Sequence, residues 1–119
     1  MRIFIAALGL AVLVGCATVD DIRANTPLVS VQTSKPADEV AECIRDGWQG
    51  IALIGGSVGG VLQRSGSRLT VVAPNAESPW HVVDVFSAGT GKVQVTYRFY
   101  RTWQSPNEKV MNVVKECAG

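Results

Sequence analysis

The alternation of apolar and polar residues in K-V-Q-V-T-Y-R-F, residues 92–99, is the feature that most constrains the fold. Successive side chains of a β-strand point to opposite faces, so this pattern predicts a strand with one buried and one wet face. The buried side is expected to carry Val93, Val95, Tyr97 and Phe99, and the wet side Lys92, Gln94, Thr96, Arg98 and Tyr100. Such a wet face is either simply solvated or a surface for protein contacts.

Two hairpins follow from the turn residues on either side of such strands. Residues 80–91 are expected to pair with the alternating strand through a turn at 88–91, and residues 60–74 to form a second hairpin around Gly66. Residues 28–32, L-V-S-V-Q, are a weaker candidate for a short edge strand. We therefore expect a sheet of about four antiparallel strands.

A helix is predicted before the strands, in residues 34–48. Pro36 suits its first turn, and Gly47 is expected to end it. Val40, Cys43 and Ile44 recur at the spacing of one helical face, which is expected to be buried.

A second helix is predicted at the C-terminus, after a capping box that runs from Ser105 to Glu108. Its apolar face is expected to carry Val110, Val113, Val114 and Cys117. Two helices that flank a sheet of antiparallel strands, both packed on one face of it, make a two-layer α+β domain.

The first residues of the chain form a separate signal. Met1 and Arg2 precede an uncharged apolar run at residues 3–14, which has the length of a signal-peptide core and is short for a bilayer span. The run ends in Leu13-Val14-Gly15-Cys16, which resembles the lipobox of bacterial lipoproteins. An uncleaved membrane anchor is the alternative interpretation.

The resemblance implies cleavage between Gly15 and Cys16, and attachment of fatty acyl chains, such as palmitate, to Cys16. Residues 1–15 are then a signal peptide, residues 16–33 a lipidated tether and residues 34–119 one α+β domain. Ala17, in the position where Asp retains enteric lipoproteins in the inner membrane, implies the outer membrane with the domain facing the periplasm.

The expected periplasmic location also predicts whether the two remaining cysteines are bonded or free. With Cys16 lipidated, Cys43 and Cys117 are left as one pair in an oxidising compartment, so we expect a disulfide between the two helices. Free buried thiols or a metal-binding pair are the alternatives. Neither a C-x-x-C motif nor a histidine cluster accompanies these cysteines, so we expect no metal and no cofactor.

The net charge that remains after removal of the signal peptide bears on whether nucleic acid is a partner. Removal of 15 of the 119 residues leaves 104, with ten Lys and Arg against ten Asp and Glu because Arg2 is lost. A neutral chain has no basic field for nucleic acid. Expected partners are therefore the membrane, through the anchor, and an envelope protein or wall component.

One stretch suggests catalysis. Residues 55–59, G-G-S-V-G, match the G-x-S-x-G nucleophile elbow around Ser57. The helix that should follow is not predicted, and His81 and Asp84 lie three apart in one strand, so they should face opposite sides. We expect a flexible or tightly turned segment, or a glycine-rich strand that lets a helix pack close, rather than an enzyme site. A contact with a partner is the third interpretation.

Aromatic residues offer a milder functional signal. Trp48, Trp80 and Trp103 each lie near the end of a predicted element, where they either complete the core or form a patch for a partner or glycan.

The whole chain loosely resembles small uncharacterised proteobacterial envelope lipoproteins, through V-A-E-C-I at 40–44 and K-E-C at 115–117. This implies a non-enzymatic anchored domain. The alternatives are a small serine hydrolase using Ser57 and a phage-type lipoprotein that blocks a receptor.

Overall fold

A computed structural model describes residues 17–119, and Gly15 and Cys16 lie outside them. The described chain contains three α-helices: α1 (Val19–Arg23), α2 (Ala37–Gln49) and α3 (Glu108–Ala118). It also contains seven strands: β1 (Val29–Thr33), β2 (Ala52–Leu53), β3 (Gly56–Ser57), β4 (Val61–Ser65), β5 (Arg68–Ala73), β6 (His81–Gly89) and β7 (Lys92–Phe99). The protein is α+β, as the sequence predicts.

Five of the strands form one antiparallel sheet in the order β1-β7-β6-β5-β4. The two predicted hairpins are β4–β5 and β6–β7, and their turns lie at Gly66 and at Thr90–Gly91, as expected. The fifth strand is β1, the weak candidate at residues 28–32, which pairs with β7 from Val29 to Thr33. Strands β2 and β3 form a separate two-stranded hairpin.

The main core lies between one face of this sheet and helices α2 and α3. The alternation of β7 is confirmed on that side, where Val95, Tyr97 and Phe99 are buried. Helix α2 contributes Val40, Ala41, Ile44 and Trp48, and helix α3 contributes Val110, Val114 and Cys117.

The predicted bridge between the helices is present. The Sγ atoms of Cys43 and Cys117 are 2.04 Å apart, and their Cα atoms are 5.7 Å apart. Cys117 is buried as expected, whereas Cys43 is exposed. The reason is that the buried face of α2 runs through Val40, Ile44 and Trp48, which leaves Cys43 at the edge of that face, toward the last turn of α3.

Both helix boundaries differ from the sequence prediction. Helix α2 continues through Gly47 to Gln49, and Gly50 is its C-cap. Gly47 instead serves close packing, since a Cβ there would lie 2.6 Å from Val113 Cγ1 of α3. Helix α3 begins after Asn107, whose side chain accepts a hydrogen bond from the Lys109 amide at 2.7 Å. Asn107 therefore replaces Ser105 as the N-cap.

The expected tether is the largest difference from the sequence prediction. Within residues 17–33 the chain forms α1 and β1, so the folded unit extends upstream of residue 34. Thr18 and Asp21 form a capping box at the start of α1. The sequence pattern missed this helix because five residues are too short to show a helical period.

Helix α1 packs on the face of the sheet opposite to α2 and α3. Arg23 binds Asp84, which alternates along β6 with the core residues Val83 and Val85. Ile22 is buried there. As a result the predicted wet face is partly covered: Thr96 is buried, and Arg98 donates to the Asn25 carbonyl at 2.8 Å.

Candidate binding pocket

A pocket of about 340 Å³ opens at the end of the sheet where β6 begins and β7 ends. The β2–β3 hairpin borders it on one side, and the segment before α3 borders it on the other. Its apolar wall is formed by Leu53, Val58, Pro74, Trp80, Phe99 and Val110. Pockets of roughly 300–1,000 Å³ with such walls are typical of sites for small apolar groups.

Glycine lets the hairpin close one side of this pocket. Gly59 has a φ of +84°, and a Cβ on it would lie 3.1 Å from the Pro74 carbonyl oxygen. A Cβ on Gly60 would lie 3.1 Å from the Arg45 carbonyl oxygen of α2. Gly59 and Gly60 therefore allow the backbone to pack tightly against Pro74, which follows β5, and against α2.

His81 stands where the pocket meets the core. Its Nδ1 lies 2.8 Å from the hydroxyl oxygen of Tyr97, and its ring centroid is 5.1 Å from that of Phe99 and 5.6 Å from that of Trp48. The Trp48 indole N–H donates to the Val110 carbonyl at 3.0 Å, which ties this cluster to α3.

Burial sets the protonation of this cluster. It lowers the pKa of His81 to about 4 and raises the pKa of Tyr97 well above its usual range. At neutral pH both side chains are therefore uncharged. His81 presents to the pocket a neutral ring that can take part in hydrogen bonds.

The rim of the pocket carries exposed apolar side chains. Trp80 is 47% exposed, and its ring stacks on Tyr100 with centroids 5.7 Å apart and planes 12° apart. Main-chain hydrogen bonds from Trp80 N to Ala73 O and from Tyr100 N to Trp80 O hold this pair. On the other side, Leu53 is 44% exposed and Ile54, at the tip of the hairpin, is fully exposed.

Ser57 lies on this pocket, yet its surroundings are not those of a nucleophile elbow. It belongs to the two-residue strand β3, and Gly59, Gly60 and strand β4 follow it where a hydrolase would have a helix. The Ser57 Oγ accepts a hydrogen bond from the Gly59 amide at 3.2 Å. Ser57 and His81 line the same pocket, which the sequence did not indicate.

Asp84 is separated from His81 by the sheet, as its position in β6 predicts. The Arg23 guanidinium binds it through Nε to Oδ2 at 3.0 Å and through Nη2 to Oδ1 at 2.9 Å. The Thr70 hydroxyl donates to Oδ1 at 2.8 Å, and Arg98 Nη1 lies 3.9 Å from Oδ2. Hydrogen bonding to Asp84 in turn raises the pKa of Arg23. Asp84 therefore fixes α1 to the sheet and does not orient His81.

The three tryptophans lie in different environments. Trp48 is fully buried in the core, Trp80 forms the pocket rim, and Trp103 is 75% exposed with the Arg101 guanidinium 5.1 Å from its ring centroid. A smaller pocket of about 180 Å³ lies next to the first, with Phe99 and Gln104 in the walls of both.

Among residues 17–119, no three His, Cys, Asp or Glu side chains are grouped so that they could hold a metal ion. No helix in this part of the chain is long and apolar enough to cross a bilayer. A comparison of the chain with protein-family models gave no match, and neither did comparisons with curated proteins and with solved structures.

Proposed function

We propose that this chain is an outer-membrane lipoprotein, anchored through acyl chains on Cys16, whose domain binds an envelope protein or wall component without catalysis. The observation that carries the binding role is the pocket beside β6, with the exposed apolar rim of Leu53, Ile54 and Trp80. The centres of protein interfaces are enriched in tryptophan and are more apolar than the rest of the surface, as this rim is.

Helix α1 supports the anchoring role. Thr18, which caps α1, follows Cys16 by two residues, and two residues span at most about 7 Å. Ile22 and the Arg23–Asp84 ion pair attach α1 to the sheet. An acylated Cys16 would therefore hold the whole domain beside the membrane surface, where its partners would have to be.

The binding role is tested by photo-crosslinking in living cells. A photoreactive phenylalanine analogue at Ile54 samples the rim, whereas the same residue at Thr90 samples the exposed turn at the opposite end of β6. We expect a discrete crosslinked product from position 54 that is absent from position 90 and is reduced by Trp80→Ala. Equal crosslinking from both positions, or none from position 54, would contradict the proposal.

A second candidate function is a small serine hydrolase, favoured by the shared location of Ser57 and His81 on one pocket. Against it, the Nδ1 of His81 is paired with Tyr97 and not with a carboxylate. A fluorophosphonate probe applied to the purified protein distinguishes the two functions. Labelling that is lost in Ser57→Ala but kept in Ser87→Ala would establish the hydrolase, and we expect no labelling of either.

A further inference from the structure

The walls of the pocket exclude charged ligands. None of its lining residues is an Asp, Glu, Lys or Arg, and its polar positions are Ser57, Gln104, Ser105 and Asn107 in addition to His81. A charged group that entered would lose hydration without gaining a counter-ion. The ligand is therefore neutral where it enters the pocket.

The walls also favour an aromatic ring. Phe99, His81 and Trp80 all contribute to the lining, and Trp80 is held by its stacking on Tyr100. These rings are already held in place, so they can offer a ligand ring the offset-stacked and edge-to-face contacts that aromatic pairs prefer. Three aromatic walls in a small pocket suit a single ring better than a long flexible chain.

One polar group stands among these rings. His81 makes one hydrogen bond within the described chain, between Nδ1 and the Tyr97 hydroxyl, so its Nε2 has no partner there. Nε2 is a donor if Tyr97 donates to Nδ1, and an acceptor if Nδ1 donates to Tyr97. A hydroxyl group pairs with either form, whereas an indole N–H pairs only with an acceptor.

We propose that the pocket receives a tyrosine side chain of a partner protein, its ring among Trp80, His81 and Phe99 and its hydroxyl hydrogen-bonded to His81 Nε2. This deepens the proposed binding function and rests on it for the identity of the partner as a protein. The exposed Leu53 and Ile54 on the hairpin would then contact the residues that flank the tyrosine.

The protein contains one histidine, which gives a direct readout of the site. The lipidated protein, residues 16–119, is labelled with ¹³C at the histidine ring, held in phospholipid nanodiscs and titrated with p-cresol, the analogue of the tyrosine side chain. We expect a saturable shift of the single ring resonance. Toluene, which lacks the hydroxyl, should bind roughly threefold to tenfold more weakly, and 4-hydroxybenzoate should bind most weakly of the three.

Two tryptophan variants test the location. Trp80→Ala should weaken p-cresol binding by roughly threefold to tenfold, and Trp103→Ala, outside the pocket, should leave it unchanged. Circular dichroism and the melting temperature check that both variants are folded. If Trp80→Ala is not folded, Trp80→Leu is measured in its place.

Several results would overturn the proposal: tighter binding of 1-hexanol or 4-hydroxybenzoate than of p-cresol, no saturable shift with any probe, or equal effects of the two tryptophan variants. The proposed function is tested separately by crosslinking. Crosslinking at Ile54 without p-cresol binding would contradict only the tyrosine assignment. Binding of p-cresol without crosslinking would contradict the partner-binding function and the assignment of the ring to a partner protein, and would leave the pocket as a site for a phenol ring.

Discussion

His81 and Asp84, three residues apart in β6, show at the scale of single residues how the two sheet faces treat polar groups. His81 enters the aromatic core, where burial disfavours its charged form. Asp84 lies on the opposite face, where two arginines and a threonine hydroxyl surround its carboxylate. The first arrangement leaves a neutral hydrogen-bonding group at a pocket, and the second fixes helix α1 to the sheet.

The low pKa of His81 makes the free energy of unfolding depend on pH. The folded pKa is about 4 and the reference value is 6.5, so between these values the unfolded chain binds more protons. This residue therefore makes stability rise with pH across that window, by about 3 kcal/mol. Below the window the loss is complete, above it there is no loss, and in neither range does this residue make stability change with pH. The histidine ring resonance measures the folded pKa, and urea unfolding at several pH values measures the slope.

His81→Gln is the control for this prediction, since glutamine does not titrate. The slope between pH 4 and 6.5 should become shallower in the variant, and what remains belongs to carboxyl groups. An unchanged slope, or a folded His81 pKa near 6.5, would show that the ring is hydrated.

Removal of only one partner of the Arg23–Asp84 ion pair should lower the free energy of unfolding. Asp84 is 2% exposed, so Arg23→Met leaves a buried carboxylate with only the more distant Arg98 as a cation. We expect a loss of about 3 kcal/mol in the free energy of unfolding. The double variant Arg23→Met, Asp84→Leu should recover a large part of it. Equal losses in the single and double variants would mean that no buried charge had been left uncompensated.

At the scale of elements, the contact between α2 and α3 is set by Gly47 and by the Cys43–Cys117 bridge. Val113 of α3 occupies the space that a side chain at position 47 would need. The bridge joins the same two helices. The helices therefore cannot easily move apart to accommodate added volume.

Gly47→Ala tests this contact, because helix propensity and packing predict opposite effects. Alanine gains about 1 kcal/mol of helix propensity. Overpacking against the stiff Val113 costs roughly 1–3 kcal/mol, so we expect a net loss of about 1 kcal/mol in chemical unfolding. Gly47→Ala with Val113→Ala should remove the clash. Gly50→Ala, whose added Cβ meets only ordinary contacts, should leave stability nearly unchanged.

Loss of the bridge should destabilise the domain without changing its fold. Cys43 and Cys117 are 74 residues apart in sequence, and closing a loop of that length stabilises by about 4 kcal/mol in the chain-entropy model. The double variant with alanine at both positions should lose about that much in urea unfolding while keeping its circular dichroism spectrum. A loss below about 1 kcal/mol would show that the bridge contributes little to the free energy of unfolding.

The elements differ in how far the sequence could predict them. Alternation identified β7 and its buried side, and helical spacing identified α2 and α3, because each pattern is repeated over several turns or residue pairs. Helix α1 has five residues, and its sequence signal was the capping residues Thr18 and Asp21. Asp84 stands among the valines of β6, a pattern that could have indicated a buried cation partner, but the local sequence does not identify that partner as Arg23, 61 residues away. The pocket depends on distant segments and was not predictable.

At the scale of the whole molecule, the position of α1 changes what the proposed anchor would do. A tether of residues 16–33 would let the domain reach away from the membrane. With β1 in the sheet and α1 packed on its face, the proposed acyl chains on Cys16 would hold the domain at the bilayer. The pocket would then meet partners that are themselves at the membrane surface.

In the proposed function the protein works as a lipid-anchored, disulfide-bonded domain. The intact mass of the protein purified from its native membrane without reductant tests this most directly. We expect the mass of residues 16–119 with acyl groups on Cys16 and two hydrogens fewer than the reduced chain, and reduction should restore those hydrogens. The mass of the uncleaved 119-residue chain, or of a chain without acyl groups, would contradict the account.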